Sequence, residues 1–83
     1  MKLAAVFDRR HNFLVMQFNI ETEIESDGRW IAEVLEVPGA LAYGVTREEA
    51  IQRSESLALR VLAEQFEQGT VSSGIASLFR VAA

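Results

Sequence analysis

The 83-residue sequence predicts an α+β fold, with one long helix packed on one face of a mainly antiparallel sheet. Two observations predict this class. Residues 17–25 alternate between apolar and polar side chains, as half-buried strands do. Residues 47–68 instead repeat apolar side chains at steps of three and four, as a helix with one buried face does. A chain of this length supports one core, so we expect residues 1–83 to form a single domain.

The first two regular strands should form a hairpin. In residues 17–25, one side of the predicted strand carries Phe18, Ile20, Thr22 and Ile24, and the other carries Asn19, Glu21, Glu23 and Glu25. Asp27-Gly28 then predicts a tight turn. The return strand, residues 29–35, places Trp30 on the buried face near Ile24 or Thr22, where it is an aromatic anchor.

A turn, a short strand and the helix follow. Pro38-Gly39 predicts a turn with positive φ at the glycine, and residues 40–43 predict a third strand before Gly44. Thr46 and Glu49 form a capping box that begins the helix at about residue 47. Gly69 ends the helix after residue 68. We expect a loop over residues 70–74 and a last short strand over residues 78–81.

The N-terminal segment has two interpretations. Residues 3–7 and 13–16 are apolar enough for strands, with a polar turn at residues 8–12 between them. Residues 1–15 are therefore either an additional hairpin strand or an extension upstream of the native start. A strand left uncovered here would present an edge that invites pairing with a second chain.

Composition excludes several classes of function. Apolar residues make up 49% of the chain, which is enough for a core. The sequence has no cysteine, which excludes disulfides and thiolate zinc sites and fits a reducing compartment, so we expect a cytoplasmic protein without cofactors. No apolar run approaches the roughly 20 residues that span a bilayer, so we expect no membrane association.

Charge is distributed unevenly. Residues 1–16 carry three basic side chains and one acidic one, a net charge of +2. Residues 17–83 carry five basic and eleven acidic side chains, a net charge of −6. An acidic body repels phosphate backbones, so we expect no direct binding to nucleic acid. It suits a basic protein partner through electrostatic steering, although solubility alone also explains it.

Candidate residues for chemistry are few. His11 is the only histidine, lies in a predicted turn and has no catalytic motif around it. The acids on one strand face, Glu21, Glu23 and Glu25, with Glu33 opposite, could bind a divalent metal, but a solvated sheet face explains their alternation better. We therefore expect no enzyme activity and no metal site. The candidate residues for binding a partner share the polar face of the first two strands: Glu21, Glu23, Glu25, Ile31, Glu33 and Leu35.

The segment from residue 28 to residue 50 carries a resemblance. It matches a pattern at Gly28, Trp30, Ala32, Val34, Glu36, Pro38, Gly39, Gly44, Thr46, Glu48, Glu49 and Ala50. These residues resemble the HicB-like antitoxin family of small bacterial proteins, over about residues 16–68. The departures are Leu35, Ala40 and Val45, where proline, cysteine and aspartate are common, and none of them removes the turn or the helix cap.

The resemblance implies both a fold and a function. The fold would be β-β-β-α-β, related to a truncated ribonuclease-H fold without its catalytic acids. The function would be that of a type II antitoxin, which neutralises a small basic RNA-cleaving toxin of the HicA-like kind, or of a solitary relative. Many members of the family carry a C-terminal DNA-binding domain, which has no counterpart after Val81. We therefore do not expect this protein to repress its own operon. The alternatives are a metal-dependent ribonuclease-H-like nuclease and a purely structural oligomerisation module.

Small size also predicts self-association. A short chain gains stability from surface buried in an oligomer, and symmetric homo-oligomers are common. We therefore expect a homodimer or higher homo-oligomer, held through a sheet edge or through the apolar patch of Ile31 and Leu35. We expect the acidic face to lie outside that contact, because stacked glutamates would repel each other.

Overall fold

The computed structural model describes residues 4–7 and 13–82. Its elements, in chain order, are β1 (Ala4–Phe7), β2 (Phe13–Gln17), β3 (Ile20–Ile24), β4 (Trp30–Val34), β5 (Leu41–Gly44), α1 (Arg47–Gln68) and α2 (Ser73–Ala76). Strands β1 and β2 form a two-stranded sheet, and β3, β4 and β5 form a separate three-stranded sheet in that order. The α+β class is thus confirmed.

The N-terminal segment forms a hairpin. Strands β1 and β2 are antiparallel, with Ala4 opposite Gln17 and Val6 opposite Val15. The expected strands are confirmed, while the turn between them, with His11, lies outside the described residues. The molecule measures 52 × 33 × 19 Å and has a radius of gyration of 14.9 Å. A compact domain of this length has a radius of gyration of about 12 Å, so the chain is extended for its size.

The three-stranded sheet is antiparallel throughout. Ile24 lies opposite Trp30, and Trp30 lies opposite Gly44 on the other side of β4. The Asp27-Gly28 turn is confirmed, since Gly28 has φ +89° and donates its N–H to the Glu25 carbonyl at 2.9 Å. The turn after β4 is confirmed as well, with Gly39 at φ +90° next to an exposed Pro38.

Helix α1 begins and ends where the sequence predicts. The Thr46 hydroxyl accepts a hydrogen bond from the Glu49 N–H at 3.1 Å. The Glu49 carboxylate reaches back to the N–H of Val45 at 2.9 Å, one residue before the cap. At the other end, Gly69 has φ +68° and donates its N–H to the Gln65 and Phe66 carbonyls. Local hydrogen bonds therefore fix both ends of α1.

The core lies between α1 and the sheet. Its buried apolar residues are Val34, Val37, Ala40, Ala58, Leu62 and Ile75. The helix packs mainly on β5 and β4 and least on β3. Trp30, the expected anchor, is only half-buried, and its neighbour Ile24 is 56% exposed. The β3 side of the sheet is therefore incompletely covered.

The C-terminal prediction is wrong. Residues 78–81 do not form a strand, and α2 occupies part of the expected loop. The Ser72 hydroxyl caps α2 by accepting the Ile75 N–H at 3.4 Å, and Ile75 is buried. Phe79 then packs edge-to-face on Phe66 of α1, with ring centroids 5.4 Å apart. Because Ile75 and Phe79 anchor this segment to the core and to α1, its chain does not run along a sheet edge. The β-β-β-α-β order therefore lacks its last strand.

A buried carboxylate joins the start of β3 to the turn after β4. Glu36 is only 5% exposed, and its two oxygens accept hydrogen bonds from the Asn19 N–H at 2.8 Å and the Asn19 Nδ2 at 2.7 Å. The Asn19 carbonyl in turn accepts the Leu35 N–H at 2.9 Å. We call the two bonds between Asn19 and Glu36 the clamp. They satisfy a charge that would otherwise be expensive to bury.

We expect Glu36→Gln to lower the free energy of unfolding by about 1.5–3 kcal/mol, because hydrogen bonds to a charged group are strong and the new amide opposes the Asn19 donor. Glu67→Gln, on the exposed side of α1, undergoes the same chemical change and should alter the free energy by less than about 0.5 kcal/mol. Urea unfolding followed by the fluorescence of Trp30, the single tryptophan, measures both variants. Equal losses in the two would contradict the role of the clamp.

We expect Gly44→Ala to destabilise the fold by about 1–3 kcal/mol, because the site is overpacked by any side chain. A Cβ at this position would lie 2.5 Å from the Ala50 backbone nitrogen and 2.9 Å from the Thr46 carbonyl oxygen. The adjacent Val45 is 78% exposed, so Val45→Ala is the control and should leave the unfolding midpoint nearly unchanged. A midpoint unmoved by Gly44→Ala would disprove the close approach of β5 to α1.

Candidate partner-binding face

Six side chains point away from α1, because alternation along each strand directs neighbouring residues to opposite faces of the sheet. We call this set the outer face: Glu21, Glu23, Ile31, Glu33, Leu41 and Tyr43. The register brings them together from three strands. Glu21 lies opposite Glu33, and Glu23 lies opposite Ile31. On the other side of β4, Ile31 lies opposite Tyr43 and Glu33 lies opposite Leu41.

The centre of the outer face is an open groove of about 450 Å³. Its lining residues are Glu21, Thr22, Glu23, Ile31, Glu33 and Leu41. The three glutamates are exposed, while Ile31 is half-buried and Leu41 is 40% exposed. The groove therefore combines apolar surface with three carboxylates.

Two of these carboxylates are placed unfavourably in the free protein. Glu21 and Glu33 are directly opposed across neighbouring strands. Like charges in this position destabilise an antiparallel pair. The sheet holds them together because its register is set by the buried residues on the opposite face, such as Ala32 and Val34. A cation bound between them would relieve the repulsion.

One end of the outer face carries an arginine. The Arg29 guanidinium lies 4.5 Å from the centre of the Tyr43 ring. Asp27 orients it by accepting the Arg29 Nε–H at 2.8 Å and the Arg29 backbone N–H at 3.0 Å. The bond from that backbone N–H is the main reason why the pKa of Asp27 lies below its ordinary value, and the guanidinium lowers this pKa further.

The structure separates the candidates proposed from the sequence. Glu21, Glu23, Ile31 and Glu33 do lie together in the groove. Glu25 lies one residue past β3, half-buried, and donates its N–H to the Arg29 carbonyl at 2.7 Å. Leu35 lies one residue past β4, half-buried, and does not line the groove.

Sequence reasoning missed Leu41 and Tyr43 as members of this face. They lie on β5, which has only four residues. So short a strand shows no clear alternation, because Ala42 and Gly44 between and after them carry almost no side chain. The available signal was the spacing of two large apolar residues two positions apart after a Pro-Gly turn.

Within residues 4–7 and 13–82, no group of three or more acidic or histidine side chains is arranged to hold a metal ion. Across the same residues, neither α1 nor α2 has the apolar length required to cross a bilayer.

Comparison with known proteins supplies no family for this chain. No protein-family model, curated protein or solved structure matches it. The resemblance of residues 28–50 to the HicB-like family therefore stays a prediction.

The arrangement around Arg29 predicts a specific titration. By carboxyl-carbon NMR, Asp27 should titrate below an ordinary aspartate, and the stability it contributes should be lost as pH falls through this lowered pKa. Arg29→Ala should raise the pKa only part of the way back, because the backbone N–H of residue 29 still donates to the carboxylate. A complete return to the ordinary value would show that the guanidinium is the main cause.

Proposed function

We propose that this protein is a binding module whose outer face docks a basic region of another protein, and not an enzyme. The observation that carries the proposal is the opposed pair Glu21 and Glu33 beside an apolar groove. Within the sheet this pair is repulsive, so it favours a ligand that brings positive charge. Because the carboxylates are exposed, a partner can reach them without rearrangement of the sheet.

The apolar part of the groove supports a protein partner over a small cation. Ile31 and Leu41 offer a surface that a metal ion does not use. A lysine or arginine suits both parts, because its methylene stem packs on apolar side chains while its charged end reaches a carboxylate. Protein interfaces usually have an apolar centre surrounded by polar and charged side chains, and the outer face has the same arrangement.

The charge of the whole body supports the same class of partner. Residues 17–83 carry a net charge of −6, which attracts basic proteins over distance and speeds their encounter. The same field disfavours direct contact with a nucleic acid.

The identity of the partner comes from the resemblance. We propose that the protein is a HicB-like antitoxin or a solitary relative, and that its partner is a small basic RNA-cleaving toxin of the HicA-like kind. The three antiparallel strands followed by a long helix are consistent with such a domain. If the neighbouring gene encodes a short basic protein with a single histidine, that protein is the partner to express.

Binding to that partner tests the outer face. The double variant Glu21→Gln, Glu23→Gln should weaken the complex at least about tenfold at low salt, because it removes charges that steer and hold a basic protein. Its control is Glu64→Gln, Glu67→Gln on α1, which changes the net charge equally and should have little effect. Calorimetric titration at two salt concentrations measures both. Equal weakening would mean that total charge, and not the outer face, governs binding.

Incubation with RNA separates binding from catalysis. Purified protein should leave RNA intact with and without magnesium or manganese. Metal-dependent cleavage that Glu23→Gln abolishes would establish the nuclease alternative and overturn the proposal. Binding to no basic partner, together with a stable oligomer, would instead favour a structural module.

A further inference from the structure

Strand β3 has an open edge next to an apolar groove. Among the described strands, β3 lies at the end of its sheet and pairs only with β4. The Asn19 carbonyl accepts the Leu35 N–H, and the Glu25 N–H donates to the Arg29 carbonyl. Both residues therefore direct these backbone groups toward the β4 side. Because backbone direction alternates along a strand, Ile20, Thr22 and Ile24 direct their N–H and C=O groups to the open side. This edge is a template for another strand.

This groove is separate from the one on the outer face. It lies between β3 and α1, where the helix covers the sheet least. It has a volume of about 250 Å³, and its lining residues are Phe18, Ile20, Val34, Glu55, Ala58, Leu59 and Leu62. Leu59 is 68% exposed although it borders this apolar surface. An added strand would therefore gain apolar contacts as well as backbone hydrogen bonds.

The opposite edge of the sheet is protected. There, β5 directs the backbone groups of Leu41 and Tyr43 outward, since Ala40 bonds to Val34 of β4. Arg53 of α1 donates to the Tyr43 carbonyl at 3.1 Å and so occupies one of these groups. A charged side chain laid over an edge is a common protection against strand addition. The β3 edge is thus the better site for an added strand.

The hairpin of the same chain cannot turn back onto this edge. Strand β2 ends at Gln17, and Asn19 is already paired with Leu35 and held by the clamp. Phe18 and Asn19 are the two residues between β2 and β3, but Asn19 is held beside β4 by its bonds to Leu35 and Glu36, so a tight two-residue reversal would have to break those bonds. A short, constrained connection of this kind favours exchange between copies.

We propose that the β1–β2 hairpin of one copy adds to the β3 edge of a second copy, in a reciprocally exchanged homodimer. Strand β2 has the sequence FLVMQ and five residues, the same length as β3. Residues 1–16 carry a net charge of +2, which complements the net charge of −6 on residues 17–83 and the carboxylate of Glu55 at the groove.

In this dimer a two-fold axis near Phe18 would relate the two copies. This arrangement avoids a repulsion between the glutamates of two β3 strands. If β3 paired with β3 of another copy, Glu21 would face Glu23 across the axis, and the like charges would repel. In the exchanged dimer β2 lies along β3 instead, so Glu21 faces Val15. The outer face stays accessible, because exchange uses the strand edge and the helix-facing groove. This inference is independent of the proposed partner.

Light scattering on the full chain tests the exchange. At tens of micromolar, the mass should be twice the 9.2 kDa of one chain. Leu59→Lys blocks the groove and should weaken the dimer at least tenfold, whereas Val45→Lys, at another exposed apolar residue, should not. Val15→Pro should also weaken it, because a proline cannot lie in a strand paired on both sides. Circular dichroism confirms that each variant is folded.

Mixing the two weakened variants gives the sharper result. The chain with Leu59→Lys keeps its hairpin, and the chain with Val15→Pro keeps its groove, so an equimolar mixture should form a heterodimer that neither forms alone. A wild-type chain that remains at 9.2 kDa overturns the proposal. So does a dimer that Leu59→Lys leaves intact, or a mixture of folded variants that stays monomeric.

Discussion

The clamp between Asn19 and Glu36 is the constraint on which the other features depend. A carboxylate that is 5% exposed is stable only with its hydrogen bonds in place, and a single residue 17 positions earlier supplies both. The clamp lies directly beside Ile20 and Val34, the first pair of the β3–β4 ladder. Together with the buried residues of β4, it holds the register that opposes Glu21 to Glu33 on the outer face. Because Phe18 and Asn19 are the two residues between β2 and β3, the clamp also restricts the connection to the N-terminal hairpin.

The position of α1 explains why the two sheet edges differ. Small residues let the helix approach β5 closely, since Gly44 has no side chain and Ala50 and Ser54 are fully buried. A helix drawn toward β5 and β4 cannot also cover β3, which is why Ile24 and Leu59 remain exposed. Close packing at one edge of the sheet thus produces the groove at the other.

Features encoded by local chemistry were predictable from the sequence. The cap at Thr46, the Asp27-Gly28 turn and the stop at Gly69 depend on neighbouring residues, so α1 and the β3–β4 hairpin could be placed from the sequence. The segment around Ile75 is different, because its burial against α1 is a tertiary contact that no local sequence pattern predicts. The site was predictable to the same extent: alternation located Glu21 and Glu23, but only the register of β5 adds Leu41.

The glutamates of β3 have two separate consequences because a strand has two faces and an edge. On the outer face Glu21 is opposed to Glu33, and the resulting repulsion would be relieved by the positive charge of the proposed partner. At the edge they disfavour symmetric pairing of β3 with itself, because that pairing would stack them across the axis. In the proposed exchanged dimer the apolar strand β2 lies at this edge and brings no such repulsion, so the same charges would favour its addition over that of a second β3. The acidic outer face and the choice of strand at the β3 edge therefore have one physical origin.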